Sequence, residues 1–135
     1  DAVDRERVAV AEALGARTMP FVELFWRMGY TTDAARDTGI AYEAFHQSEP
    51  DKWIMAPTSL DSRYLLEDVP YGQLIYQELG RLAGVPTPTI DHIIHLASVI
   101  MQRDFRAKGL TLARMGFGDI TRDAFLNLLT NGFDD

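Results

Sequence analysis

The sequence predicts an all-α fold, a helical bundle, on three observations. Apolar residues recur at helical spacing in successive runs, the runs are bounded by glycine, proline, threonine or aspartate, and no stretch alternates as a strand would. The chain of 135 residues has the length of one domain, read here as residues 1–135. A domain of that size buries roughly two-thirds of the surface its unfolded chain exposes, so it needs neither disulfides nor a metal to be stable.

The first element is expected over residues 3–14, where Val3, Val8, Ala11 and Leu14 share a face and Gly15 ends the run. A second helix follows Thr18, with Pro20 in its first turn, Glu23 as its N-terminal charge and Phe21, Leu24, Phe25 and Met28 on its buried face. Gly29 marks its C-terminus. Thr31 or Thr32 caps a third helix that runs to Thr38 before Gly39, and residues 40–47 form a fourth carrying Ile40, Tyr42, Ala44 and Phe45. From Ser48 to Ser62 the pattern dissolves around Pro50 and Pro57, which marks a long connecting segment interrupted by Trp53-Ile54-Met55.

Helical spacing resumes after Pro70 with Leu74, Ile75, Leu79, Leu82 and Ala83 on one face, closed by Gly84. Thr87 and Pro88 read as the N-cap and first residue of the next helix, with Ile90, Ile93, Ile94, Ala97, Ile100 and Met101 at core positions. Gly109, Gly116 and Gly118 punctuate a short helix around Leu112 and a last one near Arg122–Leu129.

Charge and composition narrow the function. Thirteen basic against 20 acidic residues leave a net charge of −7, the reverse of what phosphate contacts require, so no nucleic-acid partner is expected. Only Lys52 and Lys108 are lysines and no apolar stretch approaches a bilayer span, so no membrane partner is expected either. Cysteine is absent, which excludes thiolate metal sites and Cys nucleophiles and fits a reducing, cytoplasmic compartment. The opening Asp1-Ala2-Val3-Asp4-Arg5-Glu6-Arg7 is neither a signal peptide nor an initiator sequence; it reads as a helix entered midway through a longer protein.

The densest polar signals fall in Leu60-Asp61-Ser62-Arg63-Tyr64-Leu65-Leu66-Glu67-Asp68-Val69-Pro70-Tyr71-Gly72. Pro70 disfavours helical geometry at Val69, which predicts a turn there and places Asp68 just before a helix N-terminus. Asp68 then has two readings. It is a plain helix-capping residue, or a carboxylate held ionised to orient a histidine and stabilise its imidazolium. Arg63 likewise either pairs with Glu67 one turn on or grips a substrate carboxylate with its planar fork.

Other motifs carry less. His92 and His95 sit three apart beside Asp91, but no third ligand at catalytic spacing accompanies them, and no metal is assigned. His46 is accounted for by its place near a helix end. Gly116-Phe117-Gly118-Asp119 lacks the third glycine and preceding strand of a dinucleotide fingerprint and is rejected. Trp26, Trp53, Tyr64 and Tyr71 are read as core residues before pocket ones.

The block Arg63-Tyr64-Leu65-Leu66-Glu67-Asp68-Val69-Pro70-Tyr71-Gly72, followed by Leu79-Gly80 and Ala83-Gly84-Val85-Pro86-Thr87-Pro88, resembles the C-terminal helical domain of the opine dehydrogenases, the octopine and nopaline dehydrogenase family. Asp4-Arg5-Glu6-Arg7 through Ala13-Leu14-Gly15 looks like that family's early helix. Asp104-Phe105-Arg106 with Leu112-Ala113-Arg114-Met115-Gly116 looks like its tail, so the resemblance covers nearly the whole chain. It implies an enzyme that reductively condenses an α-keto acid with the amino group of an amino acid, using NAD or NADP bound by an N-terminal Rossmann domain in cis.

In that family an aspartate pairs with the catalytic histidine and an arginine just upstream holds substrate carboxylate; Asp68 and Arg63 match those positions. The family's histidine belongs to an Asn-x-x-x-His-Pro type segment that precedes the matched part, so His46, His92 and His95 are not assigned the role. On this resemblance the fragment alone is expected to be inactive. An apolar helix face is left to meet the missing domain or a second subunit of a homodimer. Two other readings stand beside it: the helical domain of a ketopantoate reductase-like dehydrogenase, and a non-enzymatic helical interaction module.

Overall fold

A computed structural model describes residues 1–133, and among them every regular element is helical. Nine α-helices follow in order: α1 Ala2–Ala13, α2 Phe21–Arg27, α3 Asp33–Thr38, α4 Ala41–His46, α5 Arg63–Leu66, α6 Leu74–Ala83, α7 Pro88–Met101, α8 Phe105–Lys108 and α9 Arg122–Asn131. A π-helical turn, Asp68–Gln73, joins α5 to α6.

The principal core lies where the π-helical turn, α6, α7 and α8 meet. Val69, Leu74, Ile90, Ile94, Ala97 and Phe105 are buried there, with Val3, Leu65, Tyr76, Ile93 and Met101 packed around them. A second layer is built from α2, α3 and α4, which bury Val22, Ala35 and Ala44. Its rim is aromatic: Phe21, Phe25 and Phe45 lie with ring centres 5.0 to 5.1 Å apart, and Tyr30 joins Phe25 at 5.2 Å. The segment between α4 and α5 is irregular, as its prolines predict, and it leaves Trp53, Ile54 and Met55 exposed.

The first turns of α1 tie these layers together. The carboxylate of Asp1 accepts from the Ala41 N–H at 2.8 Å, and that of Asp4 accepts from the Phe21 N–H at 2.8 Å. Glu6 accepts from the Thr89 and Ile90 N–H groups at 2.7 and 2.9 Å. Each acceptor thus sits at the N-terminus of a different helix, α4, α2 or α7, where unsatisfied N–H groups and the macrodipole favour a negative charge. Arg7 braces the arrangement by pairing with Asp4 and donating to the Thr18 hydroxyl and the Met19 carbonyl.

Several expectations need correction. Pro20 caps α2 rather than entering its first turn, and the buried residue of α2 is Val22, while Leu24 and Met28 are exposed. Short helices bury narrow stripes, and the aromatic rim takes the place of a deeper face. Thr87 precedes α7 as expected, but its side chain makes no cap bond because Glu6 already occupies those N–H groups. Ile100 is exposed on α7. The region of Leu112 is a turn; the short helix forms earlier, at Phe105–Lys108, where Asp104 caps it through the Ala107 N–H.

Candidate active-site face

Arg63 and Asp68 lie on one nearly continuous helical segment, α5, the π-helical turn and α6, and not on a loop leading into a helix. The predicted break at Val69 does not occur. Pro70 has no N–H to donate and its ring crowds the carbonyl four residues back, so an ordinary α-helical turn is unfavourable there. The chain widens instead of breaking. The Leu74 N–H bonds the Val69 carbonyl five residues back, and the Pro70 carbonyl accepts from the Leu110 N–H at 2.8 Å. Val69 and Pro70 are both buried, which anchors the wide turn in the core.

This corrects the physical ground offered for Asp68. It is not the residue before a free helix N-terminus; a turn of helix precedes it. Its side chain is exposed, and among the described residues it makes no hydrogen bond or ion pair. Arg63 opens α5, is exposed too, and does not pair with Glu67; the Glu67 N–H is bonded to the Arg63 carbonyl at 2.8 Å, an ordinary helical turn. Both charged side chains face outward.

The wide turn has a geometric consequence. Bonding five residues back stacks side chains five apart, as bonding four back does in an α-helix, and such turns recur at functional sites. Asp68 and Gln73, the two ends of the turn, therefore share a side. They line a shallow hollow together with Glu67, Tyr71 and Gly72. Gln73 gave no signal in the sequence, because its placement depends on the π turn. Tyr64, Tyr71 and Trp53, read as core residues, are 48%, 56% and 77% exposed and surround this face instead.

The histidines do not join it. The ring of His92 bonds the Pro88 carbonyl one turn earlier. Asp91 turns inward, away from a shared ligand set, and accepts from Gln77 and from the Thr87 hydroxyl at 3.3 Å. Arg106 extends this buried polar network by donating to Gln77 at 3.3 Å, which locks α6, α7 and α8. His46 stacks on Tyr42 at 5.6 Å on the surface of α4. Gly116-Phe117-Gly118 falls on a turn with no strand before it, so it offers no dinucleotide cradle.

Comparison with known proteins places this architecture. Residues 1–101 match the family described as NAD/NADP octopine/nopaline dehydrogenase, alpha-helical domain. An opine dehydrogenase from Arthrobacter sp. (strain 1C) is 35% identical over 119 residues, which covers 88% of this chain and 32% of that protein. A vitopine synthase from Allorhizobium ampelinum is 29% identical over 118 residues, 86% of this chain and 31% of that protein. A tauropine dehydrogenase from Arabella iricolor is 38% identical over 47 residues, 35% of this chain and 12% of that protein. The chain spans about a third of the length of the first two of these relatives. It belongs to the octopine/nopaline dehydrogenase family, whose alpha-helical domain it represents.

Proposed function

We propose that this chain is the substrate-handling domain of an NAD(P)-dependent opine dehydrogenase, an oxidoreductase that joins an α-keto acid to the amino group of an amino acid by reductive condensation. The observation that carries this reading is the pair Arg63 and Asp68, exposed on one helical segment inside a block matched by the family and engaged by no other described side chain. A structural ion pair would have held them to the protein; these two are presented outward.

Asp68 accepts the N–H of a histidine contributed by the rest of the protein, fixes its tautomer and stabilises the imidazolium. Arg63 holds a substrate carboxylate in a two-point grip that lysine cannot reproduce. The described residues provide no dinucleotide site, so the nicotinamide, which supplies the hydride, is held by a Rossmann domain elsewhere in the same polypeptide.

Replacing Asp68 by Asn in the full-length gene product tests the assignment. An exposed side chain with no partner contributes little to folding, whereas a misoriented acid–base group costs about 10²–10⁴ in rate. The expected result is a loss of that size in kcat with the melting temperature unchanged. Near-normal turnover in that variant sinks the role given to Asp68.

A further inference from the structure

Gln73 borders two concavities. One is the hollow it shares with Asp68; the other is a cleft between α1, α2, α4 and α6 walled by Val3, Phe21, Leu24, Phe45 and Tyr76. Its Oε1 is buried and has no hydrogen-bond partner among the described residues. Buried amide oxygens nearly always accept a hydrogen bond. The charged groups of the cleft are already engaged: Asp4 with Arg7 and the Phe21 N–H, Arg7 also with Thr18 and Met19, Asp1 with the Ala41 N–H. Gln73 is left as the acceptor beside apolar walls, of which Leu24 and Phe45 are 44% and 51% exposed.

We propose that Gln73 and this cleft bind the amine substrate, the carboxamide oxygen accepting an N–H of its amino group and the apolar walls taking its side chain. The proposal rests on the dehydrogenase reading above and adds a substrate class: amino acids with a large apolar side chain. A neutral acceptor suits the task. It orients an amine N–H without protonating the nitrogen, so the lone pair stays free to meet the keto carbon. The π turn sets the register, since it stacks Gln73 on the side of the helix that carries Asp68.

The test uses the full-length enzyme, pyruvate as keto acid, and L-leucine, L-phenylalanine and L-alanine as amines, with NAD(P)H oxidation as the readout. The wild type is expected to favour leucine and phenylalanine over alanine in kcat/KM. Gln73→Leu should raise the amine KM about tenfold, the worth of one hydrogen bond, and leave the pyruvate KM unchanged. Phe45→Ala should abolish the preference for leucine over alanine. Should Gln73→Leu melt early, Gln73→Asn takes its place; it keeps the amide but withdraws it, and the same rise in amine KM is expected. An unchanged amine KM, or a parallel rise in both KM values, overturns the assignment of Gln73 while leaving the dehydrogenase reading intact. Absence of amine-dependent oxidation in the wild type overturns that reading, and this proposal with it.

Discussion

Glu6 carries a structural load out of proportion to its size. Both its oxygens serve N–H groups at the head of α7, 83 and 84 residues away in sequence. Burial pushes its carboxyl up, but hydrogen bonding from Thr89 and Ile90 outweighs that, and the group titrates below its ordinary value of 4.5. The unfolded chain therefore takes up the proton first as the pH falls. The stabilisation is complete above the ordinary value and is lost as the pH drops through the lower, folded one. Glu6→Gln should cost about 1–2 kcal/mol at pH 7, the usual worth of a cap with charge. Unfolding measured at pH 7 and at pH 3 should show the gap between variant and wild type narrowing in acid; an equal gap at both would contradict this role.

Among the elements, the π-helical turn decides where the site residues point. It survives because Leu110 and Gly109 come close enough to satisfy the displaced Pro70 carbonyl. A Cβ at position 109 would stand 2.5 Å from the Pro70 oxygen and from Leu74 Cδ2, and 2.7 Å from the Phe105 oxygen. Gly109→Ala should therefore destabilise by ~1–3 kcal/mol, the cost of forcing atoms into packed space, and disturb the turn that aligns Asp68 with Gln73. A melting temperature equal to wild type would show that the turn does not depend on this approach.

Such features mark the limit of what the sequence revealed. The helix ends at Gly29, Gly39 and Gly84 were legible because each has a positive φ that other residues adopt at a cost. Thr32 was legible as a cap because its partner, the Ala35 N–H, is three residues away. The caps supplied by Asp1, Asp4 and Glu6 were not, since their partners lie far along the chain. Pro70 read as a helix start because local rules give proline that meaning, and only tertiary packing against α7 and α8 converts it into a wide turn. Arg63 and Asp68 were found through the family block, yet the local reasons given for them, a helix N-terminus and a pair with Glu67, were not those the structure contains.

At the scale of the whole molecule, α1 joins an aromatic layer, α2 to α4, to a core built on α6 and α7, and the segment carrying Arg63 and Asp68 stands outside both. Exposed Trp53, Ile54, Met55, Tyr64 and Tyr71 lie along the same stretch of chain, an apolar border suited to contact with the rest of a longer polypeptide. No helix among the described residues is long and apolar enough to cross a membrane. The outward charges and apolar border have a single use on the proposed function: closing a substrate site against a nucleotide-binding domain. The measurement that tests this most directly is NAD(P)H oxidation by the full-length gene product with an α-keto acid, in the presence and absence of an amino acid. Oxidation that requires both substrates is the predicted result. Oxidation with the keto acid alone, at a rate the amino acid does not change, would contradict it and point to a hydroxy-acid-forming reductase.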